Sequence, residues 1–217
     1  MKERPILFSG PMVQAIIEGR KTQTRRAVKP QPPEGAHPFH ILVSSSPRDE
    51  GKWRFTKSLD HLSGTVLGPI ACPYGVPGDR LWVRETYAWS GDSSIPEADR
   101  IASGEVWYRA DGGRGGGIRW RPSIFMPRWA SRILLEITGV RVERLQDISE
   151  ADCWAEGIDA VDGVFDESIP AMAQRMGRLC EDAAPTFACL WESINGTDSW
   201  NANPLVWVVS FRRVEAK

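Results

Sequence analysis

Residues 19–26 read GRKTQTRR, and the fold turns on what lies to either side of them. Upstream, Gly10-Pro11 precedes Met12, Val13, Ile16 and Ile17, a helical spacing of apolar residues with proline in the first turn and Gly19 as terminator. Downstream, residues 22–26 are β-prone at both threonines, so a strand leaves the helix. The motif thus straddles a helix-to-strand junction and places one lysine and three arginines around it.

Working outward, short β-like runs alternate with a few helices. Residues 30–70, rich in Pro, Ser and Gly, keep no steady period and read as an insertion rather than a second core. Pro77-Gly78-Asp79 is a turn, and residues 80–87 (RLWVRETY) alternate Leu81 and Val83 with Arg84 and Glu85, as a strand does. The GGRGGG run at 112–117 is a loop without the strand, spacing or Lys-Ser/Thr of a phosphate loop. Residues 132–142 form the clearest β segment, in which Gly139 marks a bulge or bend. Ser149 before Glu150, Ala151 and Asp152 is a capping-box variant opening a short helix that Gly157 ends. Pro185 opens another helix, with Phe187, Leu190, Trp191 and Ile194 facing inward, and residues 205–214 (LVWVVSFRRV) close the chain as an apolar strand.

Composition removes several function classes. The chain has 217 residues, 41% of them hydrophobic and ten of them Trp, which places it among globular proteins with a sizeable core. Basic residues number 27 against 28 acidic ones, so a formal charge of −1 gives no global pull toward nucleic acid or membrane. Cys72, Cys153, Cys180 and Cys189 lie too far apart for C-x-x-C ligand pairs and read as reduced thiols. His37, His40 and His61 fall in one loop-like stretch, so no metal and no Ser-His-Asp triad is expected. No run approaches the roughly 18 apolar residues of a membrane span, and the start lacks an apolar signal core. A cytoplasmic protein without membrane partners is the expectation.

The order of these landmarks resembles the ASCH domain of the PUA-like superfamily. The matching pieces are GRKTQTRR at 19–26, PGDRLWVRE at 77–85, RILLEITGVRVERLQDISEADCWAEGI at 132–158 and VWVVSFRR at 206–213. They cover about half the chain from end to end, which favours one domain over residues 1–217, with insertions at about 27–70, 88–128 and 158–203. The whole chain is also similar to ASCH-like proteins carried by phages and prophages. The resemblance implies an α+β fold, a PUA-like mixed β-barrel with flanking helices and long loop insertions. It further implies one of two functions. Some members bind RNA; the compact bacterial branch removes the acetyl group of N(4)-acetylcytidine without a cofactor. Carried over motif by motif, the base falls on Lys21, the nucleophile on Thr24 and the proton donor on Glu156, with Glu150 in the same helix as the other candidate.

The chemistry has its own requirements. Amide hydrolysis needs a nucleophile, a group to take its proton and an acid for the departing amine. A free lysine, with a pKa of about 10.4, holds the wrong proton for a base at neutral pH. Arg20, Arg25 and Arg26 supply a positive field that lowers it, and burial adds to this. Trp154 and Ile158 give Glu156 an apolar setting suited to an acid. Each residue also has a plain structural role: a lysine near a helix end complements the dipole, a threonine suits a strand, and a glutamate sits on a solvated helix face.

A second constellation, Arg119, Trp120, Arg121, Arg128, Trp129 and Arg132, interleaves guanidinium and indole groups as single-stranded nucleic acid sites do. It reads alternatively as barrel-capping indoles with arginines paired to carboxylates. Expected substrate contacts are therefore Arg20, Arg26, Arg84, Glu85, Trp120 and Trp129. The expected partner is a small nucleoside or nucleobase substrate, with single-stranded RNA as the alternative.

Overall fold

The computed structural model describes residues 1–42, 45–46, 48–57, 64–89, 103, 106–112, 119–158 and 167–214, a mixed α+β arrangement. In chain order the regular elements are β1 (Glu3–Leu7), α1 (Gly10–Ile17), β2 (Gln23–Ala27), β3 (His37–His40), β4 (Trp53–Thr56), β5 (Thr65–Ile70), β6 (Arg80–Arg84), β7 (Tyr87–Trp89), β8 (Val106–Tyr108), β9 (Leu134–Arg144), α2 (Glu150–Ala155), α3 (Ile169–Met176), α4 (Ala183–Asn195) and β10 (Leu205–Val214). The order β1-β6-β9-β10-β2 makes a five-stranded sheet, while β3-β4-β5 and β7-β8 form two smaller ones. All pairings in the large sheet are antiparallel except β1 with β6.

β10 explains the layering. It is buried on both faces from Leu205 to Val209, as a strand covered on both sides must be. Leu205, Trp207, Val209 and Phe211 pack with Val13 and Ile16 of α1 and with Phe55 of β4. Val206 and Val208, facing the other way, pack with Phe187 and Trp191 of α4 and Met172 of α3. The long pairing of β9 with β10 contains the bulge that Gly139 marks: Ser210 faces Gly139 and Phe211 faces Ile137, leaving Thr138 as the extra residue.

The helix signals act as read. α1 begins at Gly10 with Pro11 in its first turn and is followed by Gly19 at φ +79°. The Ser149 hydroxyl accepts the Asp152 N–H at 3.1 Å, and Gly157 at φ +77° ends α2.

Several expectations are corrected. The large sheet is open among the described residues, with β1 and β2 as its two edges, so no closed barrel forms. Residues 30–70 are not loop alone: they contain the β3-β4-β5 sheet, and Phe55 is fully buried in the core shared with β10. His37 and His40 therefore sit on a strand, His40 stacking on Trp53 with centroids 4.6 Å apart; His61 lies outside the described residues. Most of the GGRGGG run, residues 113–117, also lies outside them. The strand expected over 80–87 divides after Arg84, and Tyr87 begins β7. Ile194 is 53% exposed rather than inward. β1 and α3 were not read from the sequence.

Among the described residues no helix is long and apolar enough to cross a membrane. The four cysteines are free thiols, Cys180 being the exposed one.

Candidate functional site

Lys21 is placed by three backbone constraints. The left-handed turn at Gly19 reverses the chain after α1, the Lys21 N–H donates to the Ala15 carbonyl at 2.9 Å, and the Thr22 N–H donates to Ala155 of α2 at 2.9 Å. The last of these ties the α1–β2 junction to the end of α2. Gly157 makes that approach possible: a Cβ there would lie 2.6 Å from the Lys21 Cβ and 2.8 Å from the Ala15 Cβ.

The Lys21 side chain is wholly buried, and its ammonium donates to the Glu156 carbonyl at 2.7 Å and to Glu156 Oε2 at 2.8 Å. It therefore caps α2 and forms an ion pair with the same residue. The ammonium also lies 5.5 Å from the Phe8 ring centroid. Burial holds Lys21 below the usual lysine range; Glu156 opposes this, and Arg26 and Arg25 add to it. Arg20 pairs with Glu18 and donates to the Gly157 carbonyl at 3.1 Å.

Arg25 carries the network onward. Its Nη1 donates to Gln23 Oε1 at 2.7 Å and Glu156 Oε1 at 3.3 Å, and its Nη2 to Glu143 Oε1 at 2.5 Å and Asp152 Oδ2 at 2.9 Å. Arg141 donates to the other Glu143 oxygen, Oε2, and to the same Asp152 Oδ2, at 2.7 Å each. The sheet register produces this row, because Val208 of β10 is paired with Arg25 on one side and Arg141 on the other. Both Glu156 oxygens are thus fixed by cations, in place of the apolar setting expected from Trp154 and Ile158. Ile158 is buried, but Trp154 is 43% exposed. Glu150 is elsewhere: its carboxylate accepts the Ala183 N–H at 2.6 Å at the start of α4.

A cavity of about 440 Å³ wraps the free edge of β2. Thr24 and Arg26 line it from the face shared with Met12, Tyr74 and Trp207; Glu156 and α4 residues Phe187, Leu190 and Trp191 line it from the other. Burial pushes the Tyr74 phenol above its usual range. Lys21 stands behind Glu156 and is not itself in the wall. Among the described residues its ammonium makes no hydrogen bond to Thr24, which pairs with Val209 in the β2–β10 ladder.

Of the six expected substrate contacts, only Arg26 lines this cavity; its Nη2 donates to the Leu7 carbonyl at 2.6 Å. Glu85 is buried in a separate cluster where Arg132 grips both of its oxygens at 2.9 and 3.0 Å. Burial pushes the Glu85 carboxyl up, with Arg132 pulling against it. Arg84 lies 5.0 Å from the Trp82 centroid and donates to the Met126 carbonyl, while Arg20 borders a different cleft beside α1. Trp129 packs edge-on to Trp89 at 5.8 Å, and Trp120 lies under Arg109 at 5.8 Å. The residues that sequence reasoning missed are Arg25 as a site residue, Glu143, Asp152 and the α4 wall. The period-2 pairing of Gln23 with Arg25 signals their common face, but the register that brings Glu143 and Asp152 to them is non-local. Among the described residues no group of three His, Cys, Asp or Glu side chains is disposed to hold a metal ion.

No family model and no curated protein matches the chain. Among solved structures it is similar to the crystal structure of a protein from Enterococcus faecalis V583 described as DUF984. That likeness has 10% sequence identity over 99% of this chain and 82% of the other, at a TM-score of 0.35. A match of that score carries no argument about either fold or chemistry.

Proposed function

We propose that the protein is an ASCH-type amidohydrolase of the PUA-like superfamily, which removes an acyl group from the exocyclic amine of N(4)-acylcytidine or a related nucleobase derivative. The observation that carries this reading is the buried Lys21–Glu156 pair at 2.8 Å, standing at a cavity that Thr24 and Glu156 both line.

Burial weakens the hold of Lys21 on its proton, and a proton passed along that hydrogen bond to Glu156 leaves an amine beside a carboxylic acid. Base and acid are then one tautomer of one pair. In this scheme the Thr24 hydroxyl attacks the acyl carbonyl carbon and its proton passes to the Lys21 amine, a transfer that requires the two side chains, which make no hydrogen bond to each other here, to close together when substrate binds. The tetrahedral intermediate collapses as Glu156 protonates the leaving exocyclic nitrogen, releasing the cytosine amine. Water then attacks the threonine ester, a carboxylic acid leaves, and the hydroxyl is restored. Arg25 is a positioning residue in this scheme, since it holds Glu156 Oε1 while Lys21 holds Oε2.

Thr24→Val tests the scheme because it is near-isosteric, suits a strand and removes only the hydroxyl. Turnover of N(4)-acetylcytidine falls by several orders of magnitude with an unchanged Tm. A folded Thr24→Val protein that turns over at the wild-type rate removes Thr24 as nucleophile and leaves a Lys21-activated water. The other reading, a module binding single-stranded RNA, draws on the guanidinium–indole stacks of Arg109 with Trp120 and Arg121 with Trp89, at 5.8 and 5.5 Å. In that case Trp120→Ala weakens RNA binding while no acylcytidine is turned over.

A further inference from the structure

The charged residues lining the cavity beside β2 are Arg25, Arg26, Lys29 and Glu156. Two of them are already neutralised. Arg25 and Glu156 belong to a network in which Lys21, Arg25 and Arg141 pair with Glu143, Asp152 and Glu156, three cations against three carboxylates. Arg26 and Lys29 stand outside that network, and among the described residues neither makes an ion pair. The cavity therefore carries two uncompensated positive charges, and the one carboxylate in its wall has both oxygens on cations.

The chain sets where that charge falls. Thr24 and Arg26 share one face of β2, about 7 Å apart along the strand, and Lys29 follows beyond its end at Ala27. The positive end of the cavity is thus displaced from the Thr24 hydroxyl. Arg26 acts there through its charge, because its Nη2 is committed to the Leu7 carbonyl and its Nε is sealed from solvent. Lys29 is exposed and lines the cavity, as a side chain at its mouth does. Tyr74 adds a neutral donor. Its phenol makes no hydrogen bond among the described residues, and it is not one of the buried side-chain atoms left without a partner, so the hydroxyl stays open. Burial holds the phenol protonated against the pull of Arg26. One donor hydroxyl and two cations, with no carboxylate beside them, call for an anion that accepts hydrogen bonds.

We infer that Arg26, Lys29 and Tyr74 form a phosphate subsite, so that the substrate is a nucleoside phosphate with its acylated base toward Thr24 and its phosphate toward Lys29. The inference rests on the nucleobase reading of the same cavity and adds the anionic group which that reading leaves unspecified. The phosphate accepts from the Tyr74 hydroxyl and from the Lys29 ammonium, while Arg26 supplies field. A phosphate bonded to ribose comes from a free nucleotide or from an RNA chain, and the two sources share this chemistry.

The test measures binding of cytidine, cytidine 5′-monophosphate and the dinucleotide CpC. At low salt the wild type holds the monophosphate tighter than cytidine by on the order of a hundredfold, and the ratio falls as salt is raised. Lys29→Ala lowers the ratio about two- to fivefold, and Lys29→Glu lowers it further. Tyr74→Phe, which keeps the ring, lowers it about tenfold. Lys29 is exposed, so its variants fold, and the salt dependence of the wild type needs no variant. Equal affinity for the monophosphate and cytidine, a ratio that Lys29→Glu leaves unchanged, or no binding of any of the three overturns the inference. A Lys29-dependent preference without turnover of N(4)-acetylcytidine or its 5′-monophosphate supports the subsite and removes the hydrolase reading. Turnover of both at the same kcat/KM does the reverse. With both phosphates bound tighter than cytidine the subsite stands; the monophosphate ahead of CpC assigns it to a free nucleotide, and CpC ahead assigns it to RNA.

Discussion

Lys21→Met removes the buried ammonium while keeping an unbranched side chain of similar reach. Two charge-assisted hydrogen bonds disappear, at 2.7 and 2.8 Å to the Glu156 carbonyl and carboxylate. Breaking a buried pair from one side costs about 3–5 kcal/mol. Two features of the site lower that figure: Arg25 still holds Glu156 Oε1 at 3.3 Å, and the methionine tip gains apolar contact near Phe8. The expected loss is about 2–4 kcal/mol. In Lys21→Met/Glu156→Leu both charges are gone, Arg25 keeps Glu143 and Asp152, and the double variant is more stable than the sum of the single losses by about 2 kcal/mol. Urea unfolding followed by tryptophan fluorescence reads this as midpoint shifts at constant m. Losses that add to within about 0.5 kcal/mol show that the two residues are not coupled and refute the pair on which the mechanism depends.

Two further outcomes follow from the same geometry. Because Lys21 is held below its unfolded pKa of about 10.4, the unfolded chain binds more protons. Its contribution to stability is complete above that value and is lost as pH falls through the folded pKa. Wild type therefore gains stability relative to Lys21→Met as pH is raised toward about 10, by at most about 1.4 kcal/mol per pH unit; parallel pH curves contradict this. Gly157→Ala meets both a φ of +77° and contacts of 2.6 and 2.8 Å to the Lys21 and Ala15 Cβ atoms, so it lowers stability by more than about 1 kcal/mol and lowers acylcytidine turnover with it. An unchanged Tm contradicts the close approach of α2 to the α1–β2 junction.

What was legible in the sequence is local. Gly19 and Gly157 announce left-handed turns, Ser149 announces a cap, and the long apolar runs announce β9 and β10, because each signal is set by its own neighbours. β1 was missed because a five-residue strand containing Pro5 buries only Ile6 completely, too little alternation to register. The β3-β4-β5 sheet was missed because its strands have four to six residues and carry Pro38, Gly68 and Pro69. At the site, Lys21 and Glu156 were found through the resemblance, and Arg25 was seen only as part of a positive field. Its ion pairs join residues 118 and 127 positions apart, which strand register decides and sequence spacing does not show. The same holds for the α4 wall: helical spacing marks Phe187 and Trp191 as inward, while only the fold sets them at the cavity beside β2.

The most direct test is incubation of the purified wild-type protein with N(4)-acetylcytidine, with cytidine and acetate followed by chromatography. Catalysis by the Lys21–Glu156 pair and Thr24 predicts both products in equal amounts, at a rate that Lys21→Met abolishes. Wild-type protein that forms no cytidine, or Lys21→Met that forms it at the wild-type rate, contradicts the assignment.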